Sequence, residues 1–215
     1  MLNINKIKLF SNSDLLVSFT VSLGNGLHVD GIAGSGKTKL FKICTGILRP
    51  ISGDVIYNNV SIYNSDFIDL SLTRKMIGAI FETPVILSNL NLKQNIEFIL
   101  KSRMKPWSKH VDELVKLYGL ENILNLRKIN LSRDEVIRFN FLKIILSNPK
   151  IIFMDEVSLT NTISINRHFL KWLKVNKNNF TIVFFGHYPK ELDFMINDRV
   201  NISGVNKQGD IRHAG

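Results

Sequence analysis

The chain has 215 residues, 45% hydrophobic and 21% charged, with 13 Gly and 5 Pro, an ordinary globular composition that excludes an intrinsically disordered chain, a collagen-like repeat and a mini-protein too small for a core. A single cysteine, Cys44, excludes an internal disulfide framework and a cysteine-rich metal site, and suits a reducing compartment. Lys+Arg 28 against Asp+Glu 18 leaves a net charge of +10, a balance that suits nucleic acid or an anionic membrane face and equally the Lys-, Asn- and Ile-rich bias of an AT-rich genome.

The start, MLNINKIKLF, lacks the apolar stretch of a signal peptide, and no window reaches the roughly 18 apolar residues that span a bilayer. INKIKLF and LLVSFTVSL alternate apolar with polar residues and predict antiparallel strands with one wet face. The uncharged stretch Leu15 to Val29 reads as two strands with a turn. LHVD then runs into GIAGSGKT and a helical stretch, TKLFKICTGIL, that stops near Gly46 and Pro50. DVIYN and MIGAIF read as strands, Leu92 to about Ser147 as mostly helical, IIFMDE as a buried strand, Ile163–Val175 as a helix, TIVFFGH as another buried strand and Pro189–Ile196 as a short helix. Apolar strands separated by helices predict an α/β fold, a parallel sheet covered on both faces with an antiparallel part at the N-terminus and a helical insert.

Gly31-Ile-Ala33-Gly34-Ser35-Gly36-Lys37-Thr38 satisfies G-x-x-x-x-G-K-[ST] between a strand and a helix, the context in which that spacing binds phosphate. Glycines admit close backbone approach, the N–H groups wrap phosphate oxygens at the positive end of the helix dipole, Lys37 reaches the terminal phosphates and the Thr38 hydroxyl ligates Mg²⁺. NKQGD near the C-terminus places Asp210 one residue too far for the guanine-reading N-K-x-D pattern. Asn206–Asp210 therefore reads as a β-turn and the nucleotide as ATP.

From about Leu15 to Val200 the segments together resemble the nucleotide-binding subunit of ABC transporters. LFKICTGILRPISGDVIYNN is similar to the family's helix, turn and strand after the phosphate loop. IGAIFETPVILSNLNLKQNIEF is similar to its Q-loop, and LSRDEVIRFNFLKIILSNPKIIFMDE stands where the signature motif, its helix and the Walker B strand belong. Leu131 and Asp155 lie 24 positions apart, as in the family. The resemblance implies a P-loop NTPase of the ABC ATPase type, a single domain over 1–215. Residues about 1–91 and 148–215 would form the RecA-like core with the antiparallel part, and about 92–147 the helical subdomain. It implies that Asp155 holds Mg²⁺, that Glu156 polarises the attacking water and that His187 contacts the γ-phosphate from beyond a strand's carboxyl end. The other four histidines have no motif around them and are expected on the surface. Phe10 is a candidate for stacking on adenine, with a strand-core role as its alternative, and Cys44 is expected to pack rather than react.

The chain departs from the family at several places. Glu82 replaces the Q-loop glutamine, where a carboxylate still approaches Mg²⁺ and the catalytic centre but adds negative charge. LSRDE replaces L-S-G-G-Q: Ser132 is kept as a nucleotide contact, while Arg133 and Asp134 replace the glycines and Glu135 the glutamine. The segment after Glu156, Val157 to Thr162, has neither proline nor aspartate. The expected function is the ATPase subunit of an ABC transporter, peripheral at the cytoplasmic face of the membrane, paired with a second ATPase subunit (a copy or a relative) and driving an integral permease. VILSNLNLKQNIEFIL resembles lipid-transport ATPases of MCE-type systems and also cell-division ABC ATPases, and DEVS resembles haem-exporter ATPases. A regulatory ATP-binding protein with little turnover is the alternative class. No nucleic-acid partner is expected, because 215 residues leave no room for repair-type coiled coils or a second cassette.

Overall fold

The structure, a computed structural model, describes residues 1–156, 163–187 and 190–203. Two sheets form. The antiparallel one has the order β2-β1-β4-β5, built from β1 (Leu2–Lys8), β2 (Leu16–Val21), β4 (Ser52–Tyr57) and β5 (Val60–Ser61). The parallel one has the order β6-β7-β8-β3-β9, built from β3 (Gly26–Asp30), β6 (Ile77–Ile80), β7 (Ile151–Asp155), β8 (Thr181–Phe185) and β9 (Asp198–Asn201). The two strands expected within Leu15–Val29 are β2 and β3, and the Ser22–Asn25 turn carries the chain from one sheet to the other.

Alternation sends the parallel strands' side chains into two cores. Ile151, Phe153, Val183 and Phe185 join Leu40, Phe41 and Cys44 of α1 (Lys37–Cys44) and the antiparallel sheet. Ile152, Met154, Ile182 and Phe184 face the other way, onto a helical layer. That layer holds α3 (Leu92–Ser102), α4 (Lys109–Leu117), α5 (Arg133–Ser147) and α6 (Ile163–Asn176), while α2 (Phe67–Lys75) lies beside β5 and β6. A row of rings, Phe141–Phe169–Trp172–Phe180, ties α5 and α6 to the residue just before β8 at centroid separations of 4.4, 6.0 and 5.5 Å. Cys44 is fully buried, and burial drives its thiol pKa far up, so it packs as expected. Among the described residues, no helix is long and apolar enough to cross a membrane.

Candidate nucleotide site

β3, β7 and β8 run parallel, so their carboxyl ends meet on one edge, the edge where open α/β sheets bind ligands. There β3 delivers the Gly31–Thr38 loop, β7 delivers Asp155 and Glu156, and β8 delivers Gly186 and His187.

The phosphate loop is held by its own backbone. The Gly31 N–H donates to Asp30 Oδ1 at 2.7 Å and the Ser35 N–H to the Ile32 carbonyl at 3.2 Å. A Cβ at position 31 would lie 2.5 Å from Ser35 Oγ, so glycine here leaves the space that the Ser35 hydroxyl occupies. Gly36 caps α1 at φ +100°, and a Cβ there would press Phe10 at 3.1 Å. Phe10 is half-buried against the antiparallel core, with the Lys39 ammonium 4.6 Å from its ring centroid. Phe10 lies beyond the end of β1 rather than within a strand, and its ring edge faces the loop at Gly36. Ala33 and Gly34 are exposed at the loop's crown, whereas the Ser35 hydroxyl is buried and has no hydrogen-bond partner among the described residues. The Lys37 ammonium donates to the Gly31 and Ile32 carbonyls, the latter at 3.0 Å.

Thr38 lies in the first turn of α1, its Oγ1 donating to Asp155 Oδ1 at 3.5 Å. Asp155 is 4% exposed, and burial pushes its carboxyl up to about 6, with Glu156 and Glu82 adding to the rise and the Thr38 bond opposing it. A buried carboxylate with a hydroxyl beside it and two further carboxylates acting on it gains from a hard cation. Mg²⁺, which takes one or two protein oxygens and fills its shell with phosphate and water, fits this donor set. Among the described residues no group of three or more His, Cys, Asp or Glu side chains is placed to hold a metal ion.

Glu156 has φ +38°, its N–H donates to the Phe185 carbonyl at 2.9 Å, and its side chain lies over Gly186. His187 follows, exposed. Val157 to Thr162 and Asn206 to Asp210 lie outside the described residues.

On the helical side, Ser132 caps α5 in a reciprocal box. Its Oγ accepts from the Glu135 N–H at 3.2 Å, while Glu135 Oε2 accepts from the Ser132 N–H at 2.7 Å and hydroxyl at 2.8 Å. Those bonds from Ser132 hold the Glu135 carboxyl below its ordinary value. The glutamate thus keeps the cap that a glutamine would make. Asp134 pairs with Arg138 at 3.0 Å rather than with its neighbour Arg133, and Arg138 also donates to the Tyr118 and Gly119 carbonyls at 3.0 Å. Arg133 and Glu82, two of the departures, line one cavity of about 30 Å³ between the end of β6 and the start of α5.

One expectation is corrected. His28, expected on the surface, is 6% exposed, because it sits on β3 between two other strands of the parallel sheet. An isolated histidine in LHVD carries no motif, and its burial follows from strand pairings far away in sequence. His110 and His168 are exposed, and His213 lies outside the described residues.

The model of the ABC transporter family matches residues 16–158, two thirds of the chain. The chain belongs to this family. It is 31% identical over 143 residues to HrtA of Staphylococcus aureus (strain MRSA252), a protein named for hemin import, covering 65% of each chain. It is 30% identical over 176 residues to the methionine import ATP-binding protein MetN 1 of Oenococcus oeni, covering 80% of this chain and 50% of that one. The matched region thus spans less than two thirds of these relatives' own length. The dimeric, post-hydrolysis structure of the ATP-binding cassette MJ0796 with ADP and Pi superimposes with a TM-score of 0.76 at 20% identity, covering 99% of each chain. The fold is that of an ABC ATPase cassette, as the sequence led one to expect.

Proposed function

We propose that the chain binds Mg-ATP on the loop Gly31–Thr38, hydrolyses it within a pair of such domains and thereby drives an integral membrane permease. The observation that supports this is the convergence of Lys37, Thr38, Asp155, Glu156 and His187 at one edge of the parallel sheet. In this reading the loop's N–H groups, Gly34 to Thr38, bind the β- and γ-phosphate oxygens, and Lys37 exchanges its two carbonyl acceptors for them. Thr38 and Asp155 would hold Mg²⁺, which would neutralise charge on the phosphates. Glu156 orients the attacking water and takes its proton, His187 donates to a γ-phosphate oxygen, and Phe10 packs against the base. Glu82 stands at the rim as a further oxygen ligand, and Ser132 faces the nucleotide of the second domain once it leaves its cap.

The pairing and the permease are inferred from the family and from relatives named as import ATP-binding proteins, and the location follows: peripheral, at the cytoplasmic face. Those relatives are named for hemin, molybdenum and methionine, so the shared sequence follows the nucleotide rather than the cargo. A regulatory protein with slow turnover is the second reading, favoured by side chains at Arg133 and Asp134 where the family has glycine.

Isothermal calorimetry tests the first step. Mg-ATP binds wild type with micromolar affinity and Lys37→Ala removes binding, since Lys37 supplies the main side-chain charge on the phosphates. Equal binding by the variant overturns the reading.

A further inference from the structure

We infer that His28 is a positioning residue for the hydrolytic pair Glu156 and His187, an inference that rests on the site being an ATPase site. The link is Gly186. His28 Nε2 is 2.6 Å from the Gly186 carbonyl oxygen. A carbonyl only accepts, so Nε2 carries the proton. That carbonyl belongs to the peptide joining Gly186 to His187, and the hydrogen bond fixes the plane of this peptide and the backbone from which His187 projects.

The same residue is held from its other end and from above. The Gly186 N–H donates to the Val29 carbonyl at 3.0 Å, so consecutive residues of β3 grip both sides of Gly186. A Cβ on Gly186 would stand 2.9 Å from Glu156 Cγ and 3.1 Å from its Oε1, so the Glu156 side chain rests directly on this glycine. Moving the Gly186 peptide moves both groups. On the neighbouring strand, Leu27 and Val29 point into the core shared with α1, and His28 between them points to the opposite face. Burial, the largest influence, lowers the imidazole pKa, with Arg199 and His187 acting in the same direction. The Gly186 bond and Asp30 oppose them. The geometry requires a proton on Nε2.

Two substitutions separate positioning from packing. His28→Leu keeps bulk and removes the donor; His28→Gln places an amide N–H near the position of Nε2. The expected result is that His28→Leu lowers the single-turnover hydrolysis rate tenfold or more while the Mg-ATP Kd stays within threefold, because the phosphate-binding Lys37 is held by the Gly31 and Ile32 carbonyls and not through the His28–Gly186 bond. His28→Gln recovers most of the rate. A rate within twofold of wild type in His28→Leu, or an equal loss in both variants, overturns the inference. Two nucleotide-free readings judge it independently of activity. Imidazole ¹⁵N shifts report the Nε2–H tautomer, and exchange of the Gly186 amide rises about tenfold in His28→Leu but not in His28→Gln. An Nδ1–H tautomer or unchanged exchange sinks it. Failure of wild type to bind Mg-ATP would overturn the function instead, with these two readings still deciding the role of His28.

Discussion

Glu156 occupies a left-handed backbone conformation, φ +38°, which costs a non-glycine residue about 1–3 kcal/mol unless its surroundings hold it. The bond to the Phe185 carbonyl and the seat on Gly186 are what hold it. Gly186 itself has φ +85° and no space for a methyl group. Gly186→Ala is therefore expected to cost about 1–3 kcal/mol of stability and to dislodge the Glu156 side chain, lowering turnover along with the urea midpoint. A variant as stable and as active as wild type would mean that Glu156 has another seat. Glu156→Gln keeps shape and removes the proton acceptor. It should bind Mg-ATP within threefold of wild type and hydrolyse at background, measured on protein purified free of other ATPases. Turnover equal to wild type would exclude Glu156 as the base.

Helix α5, which begins in the signature segment, is tied to the Q-loop side by a partly buried cation, Lys143. Lys143 donates to Asn140 Oδ1 at 2.8 Å and reaches the Val85 carbonyl at 3.5 Å. Burial holds its ammonium down at about 8 against an ordinary 10.5. Below that value both folded and unfolded chains carry the proton, and the folded state bears a penalty on the order of 3 kcal/mol. Between about 8 and 10.5 the unfolded chain binds more proton, so this group makes stability rise with pH through that window. Lys143→Met is expected to match or exceed wild-type stability at pH 7 and to lack the rise between pH 8 and 10. Comparing the two proteins' urea midpoints at each pH cancels contributions they share, including those of half-buried Tyr63 and buried Tyr118. A parallel pH course for both would contradict this. Such ties also explain what the sequence made legible. The phosphate loop and the two buried strands stand out because glycine spacing and continuous apolar runs are local signals. Lys143 lies 58 residues from Val85 and His28 lies 158 from Gly186, distances at which single-chain patterns carry nothing. The short elements escaped for a different reason. β5 and β9 have too few residues to set a period, and α2, FIDLSLTRK, has only a weakly amphipathic pattern.

At the scale of the whole molecule, the proposed pairing of two domains turns on the first turn of α5. In the reading above this turn closes over the nucleotide of the opposite domain, where the family brings glycine backbone close. The dimeric MJ0796 structures share the fold over nearly the full length of this chain. A free carboxylate about 5 Å from one phosphate charge would cost about 3 kcal/mol at an effective dielectric near 20. The Arg138 pair at 3.0 Å offsets much of that for Asp134, which leaves bulk as its main obstacle. Arg133 is exposed and lines the cavity it shares with Glu82 on its own chain's Q-loop side. Both features favour steric obstruction over phosphate binding by Arg133. Replacing both residues (Arg133→Gly with Asp134→Gly) in a Glu156→Gln background, where ATP persists, is expected to tighten the ATP-dependent dimer about tenfold in sedimentation velocity. The Ser132–Glu135 box stays in place, so the helix start survives at a cost of about 1 kcal/mol per added glycine. Thermal melting without nucleotide checks that loss separately. A dimer that weakens instead would assign Arg133 to the phosphates of the opposite domain, and the obstruction would have to be given up.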